Sequence, residues 1–225
     1  MSVSITCYND GVTIGPLIER SFAFLERITA DHEVFVVNDG STDNSYELLE
    51  SMKEKYPALR VHHHERNMSF GPTFARIYKN TGMQVNGMLP GDAQIEPETL
   101  GIMLPHLSEV DLVLGYRRNR ADTFRRRLAS RCYNFLVRLV SGRPIRDVNT
   151  VCVYRTSAMD GVELVAKSAF IHAEFFIRLV RKGVSYKSVE IPHKKREAGE
   201  ASGGKVDVMI RAAREFFAFL LGRLG

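Results

Sequence analysis

Cysteine is scarce in this chain, and long apolar runs are missing. The three cysteines, Cys7, Cys132 and Cys152, are too few and too scattered for a disulfide framework or a zinc site, so a reducing compartment is expected. No segment approaches the roughly eighteen apolar residues of a bilayer-spanning helix. The opening MSVSITCYND lacks a charged segment followed by an apolar one, so no secretory signal is expected. Internal repeats, low-complexity linkers and the usual nucleic-acid recognition motifs are also absent, which argues against nucleic acid as a partner. The run His62-His63-His64 has neither a Cys nor an HExxH companion. Alternation along a strand exposes only part of it on one face, so a solvated or partly packed strand end is expected rather than a metal site.

What is present is ordinary in amount and uneven in distribution. With 225 residues, 44% hydrophobic and 25% charged, the chain is long enough for one substantial core and too apolar for wholesale disorder. The net charge of +5 is concentrated: ten arginines against one acid, Asp122, lie between Arg117 and Arg146. Such a field suits phosphate, phospholipid or nucleic acid.

The pattern predicts strands alternating with helices. Val3 to Tyr8 reads as a strand, and Ile14 to Ile28 as a helix with apolar residues at helical spacing. EVFVVNDGSTDNS is an apolar strand running into a polar loop, followed by the helix YELLESMKEKY. LRVHHHE, VNGML and DLVLGYR are further strands, and GPTFARIYKNTG is a helix opened by Pro72. The expected fold class is α/β, a mostly parallel central sheet with helices on both faces. In such sheets ligands gather at the carboxyl ends of the strands. Cys7-Tyr8-Asn9-Asp10, Asn38-Asp39-Gly40, Pro90-Gly91-Asp92 and Tyr116-Arg117 all fall at those ends.

Two of these ends carry chemistry. Asp39, beyond an apolar strand, suits a nucleotide pocket in which its carboxylate accepts hydrogen bonds from a base or ribose; the plain alternative is a capped strand–turn–helix connection. Asp92 and Gln94 point the same way if the backbone stays extended, and could share one divalent cation; the plain alternative is a turn.

The second half is basic and amphipathic. Thr123 to Val140 places Leu128, Cys132, Phe135, Leu136 and Leu139 on one face, with arginines around them. From about Val206 the last helix carries Met209, Ala213, Phe216, Phe217, Leu220 and Leu224 on one stripe. Such helices either pack on the domain or meet a membrane surface; for the last one, a homodimer contact is the further option.

In this order the stretches resemble glycosyltransferase family 2, the inverting nucleotide-sugar transferases with a Rossmann-like GT-A fold, and within it the polyprenol (dolichol) phosphate sugar transferases. CYND is similar to the A-Y-N-E strand end, VVNDGSTDNS to V-V-D-D-G-S-T-D-G-T, and GDAQIEPE to the metal-holding D-A-D-x-Q-x-P-P-E stretch. DLVLGYR, ASRCYN, RDVNTVCVYR, HAEFFIRLVRKG and VEIPHKKREAGEAS resemble the family's later segments. The departures are Asn38 and Pro90, each where an Asp is usual, and Cys152 and Val153, where Gly and an aromatic are usual.

The resemblance implies transfer of a sugar from a GDP- or UDP-sugar to a polyprenyl phosphate at an anionic membrane surface, with Mg²⁺ or Mn²⁺ as cofactor. It implies a cytoplasmic protein, peripheral at the inner face of the membrane. The donor would be held by Tyr8, Asn9, Asp10, Asn38, Asp39, Gly91 and Asp92, with Arg196 and Ser202 from a closing loop; the metal would sit on Asp92 and Gln94. Asp92, Arg117 and Arg131 are the candidate catalytic residues, the two arginines facing the acceptor phosphate with Asp147 and Glu174 in support. A catalytic domain over residues 1–205 is expected, donor-binding to about 115 and acceptor-binding to 205, with an amphipathic helix over 206–225. One alternative keeps the fold but uses a hydroxyl acceptor, for which Glu174 or Asp147 would be the general base. Another is an inactive nucleotide-binding relic whose metal site was lost at Pro90.

Overall fold

The computed structural model describes residues 1–80, 82–117, 124–192 and 206–223. In chain order the elements are β1 (Ser2–Cys7), α1 (Ile14–Glu26), β2 (Glu33–Asn38), α2 (Ser45–Lys55), β3 (Leu59–His63), α3 (Phe70–Tyr78) and β4 (Val85–Pro90). Then follow α4 (Glu98–Met103), β5 (Leu112–Tyr116), α5 (Phe124–Ser141), β6 (Cys152–Arg155), α6 (Ile171–Arg181), β7 (Tyr186–Glu190) and α7 (Val206–Leu220).

The seven strands form one sheet in the order β3-β2-β1-β4-β6-β5-β7. All pairings are parallel except those of the short β6, which runs against both β4 and β5. The mostly parallel sheet expected from the strand–helix alternation is therefore present, with one antiparallel strand inserted. Alternation along each strand divides its side chains between two faces. Val3, Ile5, Val34, Val36 and Leu89 join α1, α2 and α4 in one core. Phe35, Val37, Met88 and Tyr154 join α3 and α6 in the other, where the Tyr78 and Phe175 rings stack 3.9 Å apart. Burying each such side chain is worth about 1.5–3 kcal/mol, which is why both faces must be covered.

Register decides what meets at the functional edge. Cys7 is opposite Asn38, Asn38 is opposite His63, and Thr6 is opposite Pro90. The ends of four parallel strands thus stand in one row. Pro90 is tolerated in a central strand because it is the last residue, where the ladder ends.

The two basic helices pack through only part of their apolar stripes. Among the described side chains of α5, Asn134 and Val137 are buried, while Cys132, Phe135, Leu136 and Leu139 of the apolar face, read as either packed on the domain or open to a membrane surface, are exposed. The α7 stripe is split: Phe216 is buried edge-on against Phe170, with ring centroids 5.7 Å apart, whereas Met209, Phe217 and Leu220 are exposed. A second anchor holds α7. Glu215 accepts the amides of Lys167 (3.1 Å) and Ser168 (3.0 Å) and the Ser168 hydroxyl (2.6 Å), so α7 is held by a carboxylate as well as by a ring.

Candidate functional site

The loop after β1 and the loop after β2 are latched together. The Asn9 amide donates to Ser41 Oγ (2.9 Å), its Oδ1 accepts the Thr42 amide (2.8 Å), and the Gly11 amide donates to Asp43 (3.0 Å). Asn9 sits at φ +55°, a left-handed conformation that Asn tolerates better than most residues. Tyr8 is exposed beside it. The Asp10 carboxylate accepts the Tyr8 amide (3.0 Å) and lies against Gly91. A Cβ at Gly91 would stand 2.3 Å from the Thr6 carbonyl oxygen and 2.7 Å from Asp10 Oδ2, so only glycine lets the β4 turn approach β1 this closely.

At the end of β2, Asn38 and Asp39 are both buried. Asn38 Oδ1 accepts the Ser41 amide (3.1 Å) and hydroxyl (2.6 Å), and its Nδ2 meets His63 Nδ1 at 3.0 Å. Asp39 Oδ1 takes His64 Nδ1 at 2.8 Å and the Met68 amide at 2.8 Å. The histidine run is therefore partly packed, and two of its members address the candidate nucleotide pair. Sequence reasoning did not find these partners, because the contact depends on β3 lying beside β2.

The Asp92 corner is a tight turn. Ala93 is left-handed (φ +53°) and the Gln94 amide donates to Asp92 Oδ1 at 3.1 Å. The extended backbone that would point Asp92 and Gln94 the same way is absent, and this corrects the geometric premise for their sharing a cation. Among the described residues no three His, Cys, Asp or Glu side chains cluster as metal ligands. One carboxylate and one carboxamide still fit Mg²⁺ or Mn²⁺, hard cations bound through one or two protein oxygens plus phosphate and water. They do not fit a metal held by protein alone.

On the β5 side, Arg117 donates through Nε (3.1 Å) and Nη2 (2.8 Å) to Asp147 Oδ2, and through Nη2 to the Asn149 carbonyl (2.9 Å). Both partners are largely withdrawn from solvent, 14% and 7% exposed, which strengthens the pair. Arg131 is exposed on α5, one turn before Asn134, whose Oδ1 accepts the Val148 amide at 3.0 Å. That bond ties α5 to the segment carrying Asp147. His172 is buried, bonded through Nδ1 to the Tyr78 hydroxyl at 2.7 Å. Burial first, and the charge of Arg117 second, push its imidazole down to about 4.

Glu174 does not join this group. It is fully buried, accepts the amides of Val165 (3.0 Å) and Ala166 (2.8 Å), and pairs with Arg178 at 2.7 Å. It braces the chain before α6 and is closed off from any substrate, which corrects its expected part as acceptor support or general base. Arg196 and Ser202 lie outside the described residues.

The model of the family described as "Glycosyl transferase family 2" matches residues 2–161. The dodecaprenyl-phosphate galacturonate synthase of Rhizobium johnstonii is 32% identical over 177 residues, 74% of this chain and 51% of that protein. An undecaprenyl-phosphate 4-deoxy-4-formamido-L-arabinose transferase of Enterobacter sp. is 29% identical over 210 residues, 89% of this chain and 62% of that protein. The chain thus spans only half to three fifths of the length of these relatives. A solved structure of glucosyl-3-phosphoglycerate synthase from Mycobacterium tuberculosis, in complex with Mn²⁺, UDP and glucosyl-3-phosphoglycerate, superposes with a TM-score of 0.70 at 17% identity. That comparison covers 100% of this chain and 79% of the other. At this identity the likeness speaks for the fold alone.

Proposed function

This chain belongs to glycosyltransferase family 2 and has a GT-A-like fold, and from that premise we propose that it transfers a sugar from a nucleotide-diphosphate sugar to a polyprenyl phosphate at a membrane surface. The two curated relatives are named for transfer to dodecaprenyl and undecaprenyl phosphate, which supports this acceptor class. The observation that carries the reading is the acceptor side of the sheet end. It presents Arg117, braced by Asp147, while Glu174 is closed away as a fold brace.

That arrangement suits an acceptor needing no base. A phosphate monoester is already anionic at neutral pH; its oxygen attacks the anomeric carbon from the face opposite the diphosphate. The bond to the diphosphate oxygen breaks, the nucleoside diphosphate leaves with the electron pair, and configuration inverts. Arg117, with Arg131 from α5, would position and neutralise the incoming phosphate. Tyr8, Asn9, Asp10, Asn38, Asp39 and Gly91 would cradle the UDP or GDP part, with Arg196 and Ser202 closing over the phosphates. Asp92, with Gln94 in the same turn, would hold Mg²⁺ or Mn²⁺; when bound, that ion neutralises charge on the departing diphosphate. The donor half would extend to about residue 115 and the acceptor half to 205.

Attachment to an anionic membrane, at the inner face of a cytoplasmic membrane, fits the outward side of the basic helices. Phe135 (57% exposed) and Leu139 (65%) on α5, and Phe217 (57%) and Leu221 (66%) at α7, are apolar and open, with Arg131, Arg211, Arg214 and Arg223 exposed near them in the chain. No described helix is long and apolar enough to cross a membrane.

The test is a panel of radiolabelled nucleotide sugars offered with extracted polyprenyl phosphate and, separately, with simple sugars. Label passing into the lipid fraction from one donor is the expected result. Transfer to simple sugars alone would overturn the lipid acceptor.

A further inference from the structure

The orientation of Asn38 fixes the tautomer of the neutral His63 imidazole beside it. The Ser41 amide must donate, so the atom of Asn38 that it meets is the oxygen, and the end facing His63 is the NH₂. The NH₂ can only donate, so His63 Nδ1 is bare and its proton rides on Nε2, which faces Glu50 Oε1 at 3.1 Å. The next residue is reversed. Asp39 Oδ1 already accepts the Met68 amide and can only accept, so His64 Nδ1 carries the proton. Two consecutive histidines therefore hold opposite tautomers, each imposed by one member of the Asn38-Asp39 pair.

We infer that His63 and His64 are positioning residues for the nucleotide: they fix the carboxamide and carboxylate that read the donor's base or ribose, and His63 makes donor binding sensitive to acid. The inference rests on the nucleotide-sugar reading of this site. Asn38 stands where the family usually has Asp, and with Asn there the His63 nitrogen that faces it is held bare, whereas a carboxylate would hold it protonated, as Asp39 does for His64. A second proton on His63 must land on Nδ1, the atom to which Asn38 donates, and the two donors then repel. The charged and titratable groups around His63 are Glu50 from α2, itself paired with Lys53 at 3.0 Å, the Tyr46 ring 4.4 Å away, and its neighbours His62 and His64. His62 faces Arg76 from α3 at 3.3 Å, so the opposite side of β3 opposes further positive charge.

The test is calorimetric titration of UDP and of GDP, with Mg²⁺ present, into the full chain between about pH 5.5 and 7.5, where imidazoles change charge. For the wild type, the nucleotide that binds should bind about two- to tenfold more weakly at the acid end, the effect of one hydrogen bond. In His63→Asn a non-titrating oxygen replaces Nδ1, and the profile should lose this component. In Asn38→Asp protonated His63 gains an ion pair, and the sign relative to wild type should reverse. Titration of the nucleotide's own phosphate is common to all three and cancels in the comparison. Binding with superimposed profiles would overturn this inference while leaving the glycosyltransferase reading standing; binding of neither nucleotide at any pH would overturn both. Imidazole ¹⁵N spectra of the wild type supply a check needing neither ligand nor variant. They should show His63 bare at Nδ1 and His64 protonated there, and a shared tautomer would overturn the inference.

Discussion

Arg117 and Asp147, thirty residues apart in the chain, are joined by two hydrogen bonds converging on one carboxylate oxygen at 2.8 and 3.1 Å. The guanidinium is consequently fixed at the end of β5, with its plane set before any acceptor arrives. Pre-set donors of this kind act without reorganisation cost.

Arg117→Lys keeps the charge but loses the planar fork. It is expected to lower kcat/KM for the polyprenyl phosphate about ten- to a hundredfold, the size of a hydrogen bond to a charged group. Affinity for the nucleotide should be nearly unchanged. Asp147→Asn should act in the same direction and more weakly. Steady-state kinetics with each substrate varied in turn separates acceptor from donor effects, and a loss confined to donor KM would count against this assignment.

Asp92 is the one carboxylate of its turn, so Asp92→Ala should remove the Mn²⁺-dependent part of nucleotide binding. Pro90→Asp restores the acid that the family usually carries two residues earlier. If coordination here leans on the donor diphosphate because that acid is missing, the substitution should tighten Mn²⁺ binding about tenfold or more, in line with an added charged ligand. Calorimetry with and without nucleotide measures both effects.

His172 makes stability depend on pH. Its folded value is lowered from 6.5 to about 4 by burial and by Arg117, so the unfolded chain binds more protons within that window. Stability therefore falls as pH drops through 6.5 and stops falling from this source below about 4. The full loss corresponds to roughly 3 kcal/mol. Urea unfolding at several pH values should show this slope, and His172→Gln should flatten it.

The open apolar side chains predict membrane attachment that polar substitution can remove. Replacing Phe135, Leu139, Phe217 and Leu221 with serine should abolish pelleting with anionic vesicles. Stability should scarcely change, because exposed positions usually contribute within about 0.5 kcal/mol each. High salt should release the wild type only in part, since it screens the arginines and leaves apolar insertion intact. A change in oligomeric state with unaltered vesicle binding would instead mark this face as a contact between copies of the chain.

Local pattern made most of the sheet and its functional edge readable. Apolar runs such as EVFVV stop at polar clusters, and a parallel sheet gathers those clusters at one edge whatever their distance in the chain. Tyr8 to Asp10, Asn38, Asp39, Asp92 and Arg117 could be named for that reason. Their chemistry was less readable. Asp92 and Gln94 are related by a left-handed residue at Ala93, which no periodicity announces. Glu174 looked like an active-site acid until the Val165 and Ala166 amides and Arg178 occupied it.

Periodicity states how often an apolar side chain recurs, and loop composition states where a strand must stop. Both are properties of neighbours in the chain. Which side of α5 faces inward, and which nitrogen of His63 carries a proton, depend on groups brought close by strand order. Asn38 and His63 are 25 residues apart, Asn134 and Val148 are 14 apart, and Glu215 and Lys167 are 48 apart. A hydrogen bond has a definite donor and acceptor, so these distant partners set roles that the residue types left open.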